Sequence, residues 1–221
     1  MRKRLSLHLN FSKNTTMKTV ELFSGTKSFS KVMAEHDHET LTIDASMEFH
    51  PDICVDILNW KQPQGLTNVD ILWASPPCTA FSVASIGLNW TGGKNAYIPK
   101  TEKAELGIKL VKHTLDLIEW IDPKWWFIEN PRGILRKLDL LPNLNRRTVT
   151  YCQYGDSRMK PTDIWTNAFW WNPRPICKNG DKCHVAAPRG SRTGTQGLSG
   201  AMERGRIPSQ LFEEMLEQMP I

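Results

Sequence analysis

The stretch ILWASPPCTAFS, residues 71–82, decides the fold of this chain. Its first four residues are apolar and too few for a helix, so they predict a short strand buried on both faces. Pro76 and Pro77 then fix the backbone and remove two N–H donors, so a stiff loop must leave the sheet there. Cys78 lies on that loop. Most free cysteines are small buried hydrophobes, but one on a rigid loop at a strand end is placed to act as a nucleophile.

Length and composition indicate one domain with a real core. The chain has 221 residues, of which 40% are hydrophobic. Polar residues interrupt the basic N-terminal segment 1–17, and apolar runs stay well below the roughly 20 residues that span a bilayer, so we expect neither export nor a membrane partner. The five cysteines are an odd, scattered set, which favours a reducing cytoplasm over a disulfide framework. We expect a monomer.

Positive charge is concentrated in one part of the chain. Residues 131–206 carry 14 Lys and Arg against 5 Asp and Glu, a net charge of +9, although the whole chain totals only +5. Segregated basic charge indicates a face for a polyanion such as nucleic acid. A solvated basic surface would have the same composition, and charge alone does not separate the two.

Strand-like and helix-like segments alternate along the chain. We expect helices at residues 28–36, 104–121 and 208–219, and strands at 19–25, 39–44, 53–58, 69–75, 125–130, 146–155 and 163–171. In the long helix, Ile108, Val111, Leu115 and Ile118 lie on one face. This alternation predicts an α/β fold, with a mostly parallel sheet covered by helices on both faces.

Polar or flexible residues fall at the carboxyl ends of the predicted strands. They are Gly25, Asp44, Asp56, Cys78 and Glu129. A single acid at such a position is often only a turn or cap residue. Because ligands of parallel sheets bind at this rim, the convergence of five such positions indicates a binding site.

The order of these motifs resembles that of the DNA cytosine-5 methyltransferase family. ELFSGTKSF (21–29) is similar to the family's first cofactor motif, PPCTAFS (76–82) to its nucleophile motif and FIENPRG (127–133) to its Glu-Asn motif. YGDSRMK (154–160) lies where the family has an arginine-rich motif, and RIPSQLFEEM (206–215) resembles the closing motif. The resemblance spans residues 18–219. It implies a compact, phage-like member with a Rossmann-like S-adenosylmethionine-dependent methyltransferase fold and a seven-stranded sheet.

This resemblance implies methyl transfer from S-adenosylmethionine to carbon 5 of cytosine in DNA. Carbon 5 is a poor nucleophile, and addition of the Cys78 thiolate at carbon 6 makes it enamine-like. Glu129 would hold a proton at ring nitrogen 3, which requires its pKa to be raised toward neutrality. Arg158 falls on the family's position that contacts the base carbonyl. The base must be flipped out of a duplex or presented single-stranded.

The resemblance also implies the residues that bind the cofactor. The matching positions are Phe23, Ser24 and Gly25 below the methionine half, Asp44 at the ribose hydroxyls, Asp56 and Ile57 around the adenine, and Pro77 before the nucleophile. Each of these is otherwise an ordinary turn or core residue. Lys27 stands near a glycine position of the family, and Arg204 and Arg206 replace part of its last motif. The positive charge of these three residues near the cofactor leaves a second hypothesis open, in which the donor is a form of S-adenosylmethionine with an extra carboxylate.

The region available for target recognition is short. We divide the chain into a basic extension (1–17), a catalytic core (18–170), a Gly/Pro/Arg-rich insert (171–206) and a closing helix (207–221). Because so short an insert can aim few side chains at base edges, we expect relaxed sequence preference and affinity dominated by phosphate contacts. The expected DNA contacts are Ser82, Lys160, Arg189, Arg192, Thr193, Thr195 and Gln196.

The segment CKNGDKCH, residues 177–184, offers Cys177, Cys183 and His184 as ligands. Three ligands fall short of a closed tetrahedral zinc site unless Cys152 is the fourth, so we predict no metal and keep zinc as the second hypothesis. The sequence is also compatible with a silent nucleic-acid-binding relative and with an RNA-acting enzyme on the same fold. The presence of Cys78, Glu129 and Arg158 together argues against a silent binder, which would not need this trio.

Overall fold

The computed structural model describes residues 16–61, 65–93, 96–141, 145–186 and 200–220. Its strands are β1 Lys18–Leu22, β2 Glu39–Asp44, β3 Ile53–Cys54, β4 Ile71–Ala74, β5 Trp90–Thr91, β6 Ile98–Pro99, β7 Trp125–Pro131, β8 Arg146–Thr150 and β9 Pro161–Thr166. Its α-helices are α1 Ser28–Glu35, α2 Ile86–Asn89, α3 Glu102–Ile121, α4 Ala201–Gly205 and α5 Ser209–Gln218.

Seven of these strands form one sheet in the order β3-β2-β1-β4-β7-β9-β8. The neighbours from β3 to β7 pair in parallel, whereas β9 is antiparallel to both β7 and β8. The prediction of a mostly parallel, seven-stranded sheet is therefore confirmed. The chain first builds outward from β1 to β3 and then continues on the other side with β4. The strand order thus reverses between β1 and β4, which is where sheets of this kind open a ligand crevice.

Strand β4 shows why its sequence contains only apolar residues. Ile71 and Trp73 pack into the hydrophobic cluster that includes α1 and α5, whereas Leu72 and Ala74 pack into the cluster that includes α3. Successive side chains of a strand point to opposite faces, so a strand covered by helices on both sides needs apolar residues at every position. The fully buried Trp73 ring stacks on Phe127 and meets the Phe212 ring edge-on. Helices therefore cover both faces, as predicted.

Helix α3 forms where predicted, but its buried stripe is rotated from the expected one. The buried residues are Ala104, Gly107, Leu110, Val111, Thr114, Leu117, Ile118 and Ile121, while Ile108 and Leu115 are only partly buried. Gly107 is the reason for part of this rotation, because a Cβ there would lie 3.0 Å from the Phe81 ring. The glycine lets the loop that follows β4 pack closely on the helix.

Several predicted strands are shorter than expected. For segments 19–25, 69–75 and 146–155 the strands are Lys18–Leu22, Ile71–Ala74 and Arg146–Thr150, and the strands of segments 53–58 and 163–171 also end early. Only Ile53–Cys54 of residues 53–58 pairs in the sheet, because the Asp56 side chain accepts a hydrogen bond from the Leu58 N–H and starts a single helical turn, Ile57–Asn59. Strand β9 ends at Thr166 rather than continuing to residue 171. The Thr166 hydroxyl bonds the Ala168 N–H, which turns the chain out of the sheet.

The last described part of the chain consists of a segment without regular structure and two helices. Helix α5 buries Leu211, Phe212 and Met215 against the sheet. Residues 171–186, all of which are described, contain neither helix nor strand, and the short α4 precedes α5. Among the described helices, none combines the length and the apolar character needed to cross a membrane. Most of the predicted basic extension, residues 1–15, lies outside the described residues.

Candidate active site

The loop between β1 and α1 has a constrained backbone. Phe23, Gly25 and Lys27 all have positive φ angles, 57°, 43° and 58°. Such a conformation costs a non-glycine residue of the order of 1–3 kcal/mol, and it is retained where the surroundings or a function require it. The hydroxyl oxygen of Ser24 is buried and lacks a hydrogen-bond partner among the described residues. The loop therefore combines a constrained backbone with a buried hydroxyl group at the carboxyl end of β1.

Asp44 is brought to this loop by the pairing of β1 and β2. Its two carboxylate oxygens accept hydrogen bonds from the N–H groups of Gly25 and Ser46, each at 2.9 Å. A carboxylate has about four acceptor positions, so lone pairs remain for the hydroxyls of a ligand. Asp56 is exposed and caps a helical turn, and Ile57 beside it is buried. Their expected contacts with adenine stay predictions, as does that of the exposed Pro77.

Lys27 lies at the same loop. Its ammonium group donates to the carbonyl oxygen of His50 at 2.5 Å, which links the β1–α1 loop to the chain after β2. The expected contact between Lys27 and the cofactor stays a prediction.

Glu21 is a buried acid for which the sequence had predicted no role. Its carboxyl group accepts hydrogen bonds from the Phe29 N–H, the Ser30 N–H and the Ser30 hydroxyl, at the start of α1. Burial raises its pKa to about 7, although the hydrogen bonds from Ser30 oppose that shift. An acid between the apolar Val20 and Leu22, shortly before α1, was the signal for this role, since helix N-termini attract carboxylates. Glu21 therefore fixes the position of α1 and of the loop before it.

Cys78 starts a single helical turn on the loop after β4 and is partly exposed. The neighbouring Pro76 carbonyl accepts a hydrogen bond from the Asn130 side chain at 2.9 Å, which ties the nucleophile loop to the end of β7. A Cβ on Gly133 would lie 2.1 Å from the carbonyl oxygen of Phe81, so only glycine permits this close approach. The two motifs, 54 residues apart, form one rigid rim.

Glu129 is buried beside this loop, with only 5% of its surface exposed. The Tyr151 hydroxyl donates a hydrogen bond to its carboxylate at 3.0 Å, and the Ser75 hydroxyl bonds the same group. Burial raises the pKa of the carboxyl group, while the positive charge of Lys160 lowers it. The net direction is upward, as is required of a carboxyl group that holds a proton near neutral pH.

The charge of the Glu129 carboxyl group acts on the Cys78 thiol. Burial and the charge of Glu129 raise the pKa of the Cys78 thiol, and Lys160 opposes this shift. The ammonium group of Lys160 lies 4.8 Å from the centre of the Tyr151 ring and donates to the Arg204 carbonyl at 3.0 Å. Lys160, expected as a DNA contact, is therefore placed beside the nucleophile and the acid. The sequence carried no signal that predicted the position of Tyr151 here.

Arg158 has a different environment. Its guanidinium group is almost fully buried and forms an ion pair with Asp156. It also donates to the carbonyl oxygens of Glu203, Arg204 and Arg206. Together these partners occupy its five N–H donors, so Arg158 holds the segment before α5 against the turn before β9. The expected contact of Arg158 with a base carbonyl stays a prediction, and it requires part of this network to open.

The expected DNA contacts are only partly described. Ser82 is half-buried, and its hydroxyl lies 3.1 Å from that of Ser85. Residues 187–199 lie outside the described residues, and they contain Arg189, Arg192, Thr193, Thr195 and Gln196. For Ser82 and these five, the contact with DNA stays a prediction.

Comparison with known proteins found one family and one viral relative that match most of this chain. The profile of the C-5 cytosine-specific DNA methylase family matches residues 17–144, more than half of the chain. A probable DNA (cytosine-5)-methyltransferase of Frog virus 3 (isolate Goorha) is 28% identical over 218 residues, which cover 91% of this chain and 99% of that relative.

Solved structures are also similar to this one. The methyltransferase EhMeth of Entamoeba histolytica is 15% identical, with a TM-score of 0.50 over 73% of this chain and 56% of that one. A putative DNA modification methyltransferase encoded within a prophage of E. coli is also 15% identical, with a TM-score of 0.48 over 68% of this chain and 46% of that one. This chain spans about half the length of those two proteins. The likeness to EhMeth shows the fold alone, a Rossmann-like methyltransferase fold, whereas the family match extends to the motifs of the candidate active site. The chain belongs to the C-5 cytosine-specific DNA methylase family and is a DNA (cytosine-5)-methyltransferase.

Proposed function

We propose that this enzyme transfers a methyl group from S-adenosylmethionine to carbon 5 of cytosine in DNA through a transient bond between Cys78 and the base. The observation that carries the proposal is the pairing of Cys78 and Glu129 at one rim. Cys78 lies on the loop after β4 and Glu129 lies on β7. The two groups are close enough to each other for the charge of Glu129 to raise the pKa of the Cys78 thiol.

The reaction begins when the Cys78 thiol loses its proton and its sulfur bonds to carbon 6 of the cytosine. The electron pair displaced from the ring would leave negative charge on it, and a proton from Glu129 to nitrogen 3 neutralises that charge. Bound S-adenosylmethionine would supply the electrophilic methyl group to carbon 5, and its sulfur would keep the electron pair of the broken carbon–sulfur bond and leave as a neutral thioether. Loss of the carbon 5 proton to a base, expulsion of the thiolate and return of the nitrogen 3 proton to Glu129 restore the aromatic ring.

Tyr151 and Lys160 support these steps by holding the acid and balancing its charge. The Tyr151 hydroxyl orients the Glu129 carboxyl group through its hydrogen bond at 3.0 Å. Lys160 lowers the pKa of both Cys78 and Glu129, which favours the thiolate and keeps the carboxyl group able to release its proton.

The loop residues at the carboxyl ends of β1 and β2 fit S-adenosylmethionine. The buried hydroxyl of Ser24, which lacks a partner among the described residues, offers a hydrogen bond, and the free lone pairs of Asp44 suit two vicinal hydroxyls of a ribose. Ser24 follows β1, the strand beside the reversal of strand order, and Asp44 ends the neighbouring strand β2.

The basic charge of residues 131–206 supports DNA as the polyanion, since phosphate contacts offset the few kcal/mol that base flipping costs. With few side chains available for base edges, we infer relaxed sequence preference. We also infer that the enzyme acts as a monomer.

The test is incubation with DNA that contains 5-fluorocytosine, together with radiolabelled S-adenosylmethionine. Fluorine cannot leave as a proton, so we expect a labelled protein–DNA adduct that persists under denaturing conditions for the wild type. Cys78→Ala should abolish the adduct, while Cys54→Ala, which removes an exposed cysteine, should not. An adduct that survives Cys78→Ala would refute the proposal.

The same protein preparation tests the sequence preference and the identity of the transferred group. On ordinary DNA of varied sequence, relaxed preference predicts modification in many cytosine contexts, and one strict long motif would contradict it. Mass spectrometry of the modified nucleoside distinguishes a methyl group from a carboxymethyl group, and thus the ordinary donor from a carboxylated one.

A further inference from the structure

Three thiols and one imidazole meet at the base of the insert, and we name this group the Cys3His cluster: Cys152, Cys177, Cys183 and His184. Their potential ligand atoms all lie within 4.8 Å of one another. Cys152 belongs to the single helical turn after β8, and the other three belong to segment 171–186. The sequence motif alone lacked a fourth ligand and so favoured no metal, and the fold brings Cys152 to that position.

The distances within the cluster match a tetrahedral site. With Zn–S bonds of about 2.3 Å and a Zn–N bond of about 2.0 Å, the ligand atoms of a tetrahedron lie roughly 3.5–3.8 Å apart. The Sγ atoms of Cys152 and Cys183 are 3.6 Å apart, and His184 Nδ1 is 3.8 Å from Cys177 Sγ and 3.7 Å from Cys183 Sγ. The distance between the Sγ atoms of Cys152 and Cys177 is shorter, at 3.1 Å.

The surroundings also suit a structural metal ion. Cys152 and Cys177 are buried, which excludes water from that side of the cluster. The Gln153 side chain donates to Cys183 Sγ at 3.4 Å, and the Thr150 hydroxyl accepts from the Cys177 N–H at 3.0 Å. Such outer contacts orient the ligands of metal sites. Four protein ligands with a Cys3His composition form a closed site, typical of zinc with a structural role.

We propose that the Cys3His cluster binds one Zn²⁺ ion that fastens the beginning of the insert to the catalytic core. The turn that carries Cys152 also carries Tyr151, whose hydroxyl bonds Glu129. The Val185 N–H, directly after the cluster, donates to the Ser157 carbonyl in the turn before β9. The ion therefore holds residues 177–185 beside the turn that carries Tyr151, the partner of Glu129. This inference does not depend on the proposed reaction.

The experiment is elemental analysis of protein purified under reducing conditions without chelator. We expect about one zinc ion per chain in the wild type and its loss in Cys183→Ser and His184→Ala. Cys54→Ser is the matched control and should keep its zinc, because Cys54 is exposed and outside the cluster. Removal of the ion should also lower the melting temperature of the wild type, since a ligand that binds the folded state stabilises it.

Cobalt exchange provides a test that does not depend on the folding of a variant. Wild-type protein in which Co²⁺ replaces the ion should show the thiolate-to-cobalt absorption of a tetrahedral sulfur-rich site. Absence of that absorption, or equal zinc content in the wild type and Cys183→Ser, would overturn the proposal. So would peptide mapping that finds Cys152 and Cys177 joined as a disulfide in metal-free protein.

Discussion

Tyr151→Phe should make Glu129 a weaker acid. In the structure, the Tyr151 hydroxyl donates to the Glu129 carboxylate at 3.0 Å, and both side chains are buried. This hydrogen bond stabilises the ionised carboxylate and so lowers the pKa of Glu129, against the larger effect of burial that raises it. Without the hydroxyl, one of the interactions that counteract the effect of burial is lost, so the pKa of Glu129 should rise further.

The magnitude follows from the strength of the bond. A hydrogen bond to a charged group contributes about 1.5–3 kcal/mol. Because about 1.4 kcal/mol corresponds to a factor of ten, the acid dissociation constant of Glu129 should fall roughly ten- to a hundredfold. Phenylalanine keeps the ring that packs in the core, so the substitution removes little besides the hydroxyl.

The assay is a pH titration followed by carbon-13 NMR of glutamate side-chain carboxyl groups. Glu129→Gln assigns the Glu129 signal, and Glu21→Gln assigns the other carboxyl group whose pKa burial raises. Tyr154→Phe is the matched control. Its hydroxyl lies on the same turn and bonds the carboxylate of Glu214 at 3.1 Å, so the Glu129 titration should be unchanged in it. A Glu129 titration that is unchanged or moved to lower pH in Tyr151→Phe would contradict the reasoning.

Two further predictions concern buried charge. Burial raises the pKa of Glu21 to about 7, so the folded protein binds more protons than the unfolded chain between about 4.5 and 7, and stability should fall by about 3 kcal/mol as pH rises through that window. Denaturant unfolding below and above the window should show a smaller fall for Glu21→Gln. Lys160 lowers the pKa of Cys78, so Lys160→Met should slow alkylation of the Cys78 thiol at a fixed pH, measured residue by residue by mass spectrometry, while alkylation of Cys54 stays constant.

The nucleophile loop shows how much a local pattern can predict. Four apolar residues followed by two prolines predicted a short buried strand and a stiff loop, and the structure has strand β4 followed by Cys78 on a turn. The same holds for the acid at the end of β7 and for the start of α5 after Pro208. These features depend on residues a few positions apart, whose periodicity and turn chemistry are written directly in the sequence.

Contacts across the sheet were not predictable in this way. Strand β9 runs antiparallel between β7 and β8, which pairs Pro131 with Thr162 and Thr150 with Pro161. This register brings Tyr151 and Lys160 beside Glu129, although neither position carried a local signal for that role. The same limitation applies to Arg158, whose three carbonyl partners lie 45 to 48 residues away in the segment before α5.

The amino-acid sequence by itself determined the alternation of strands and helices, the strand that is buried on both faces, and the order of the motifs that place Cys78 and Glu129 at strand ends. Only the tertiary structure decided that Tyr151 bonds the acid and that the charge of Lys160 acts on both the acid and the thiol. It also decided that Cys152 is the fourth member of the Cys3His cluster. The physical reason is that side-chain periodicity and turn preference act over a few residues, whereas these contacts depend on strand direction and register, which are set by packing of the whole sheet.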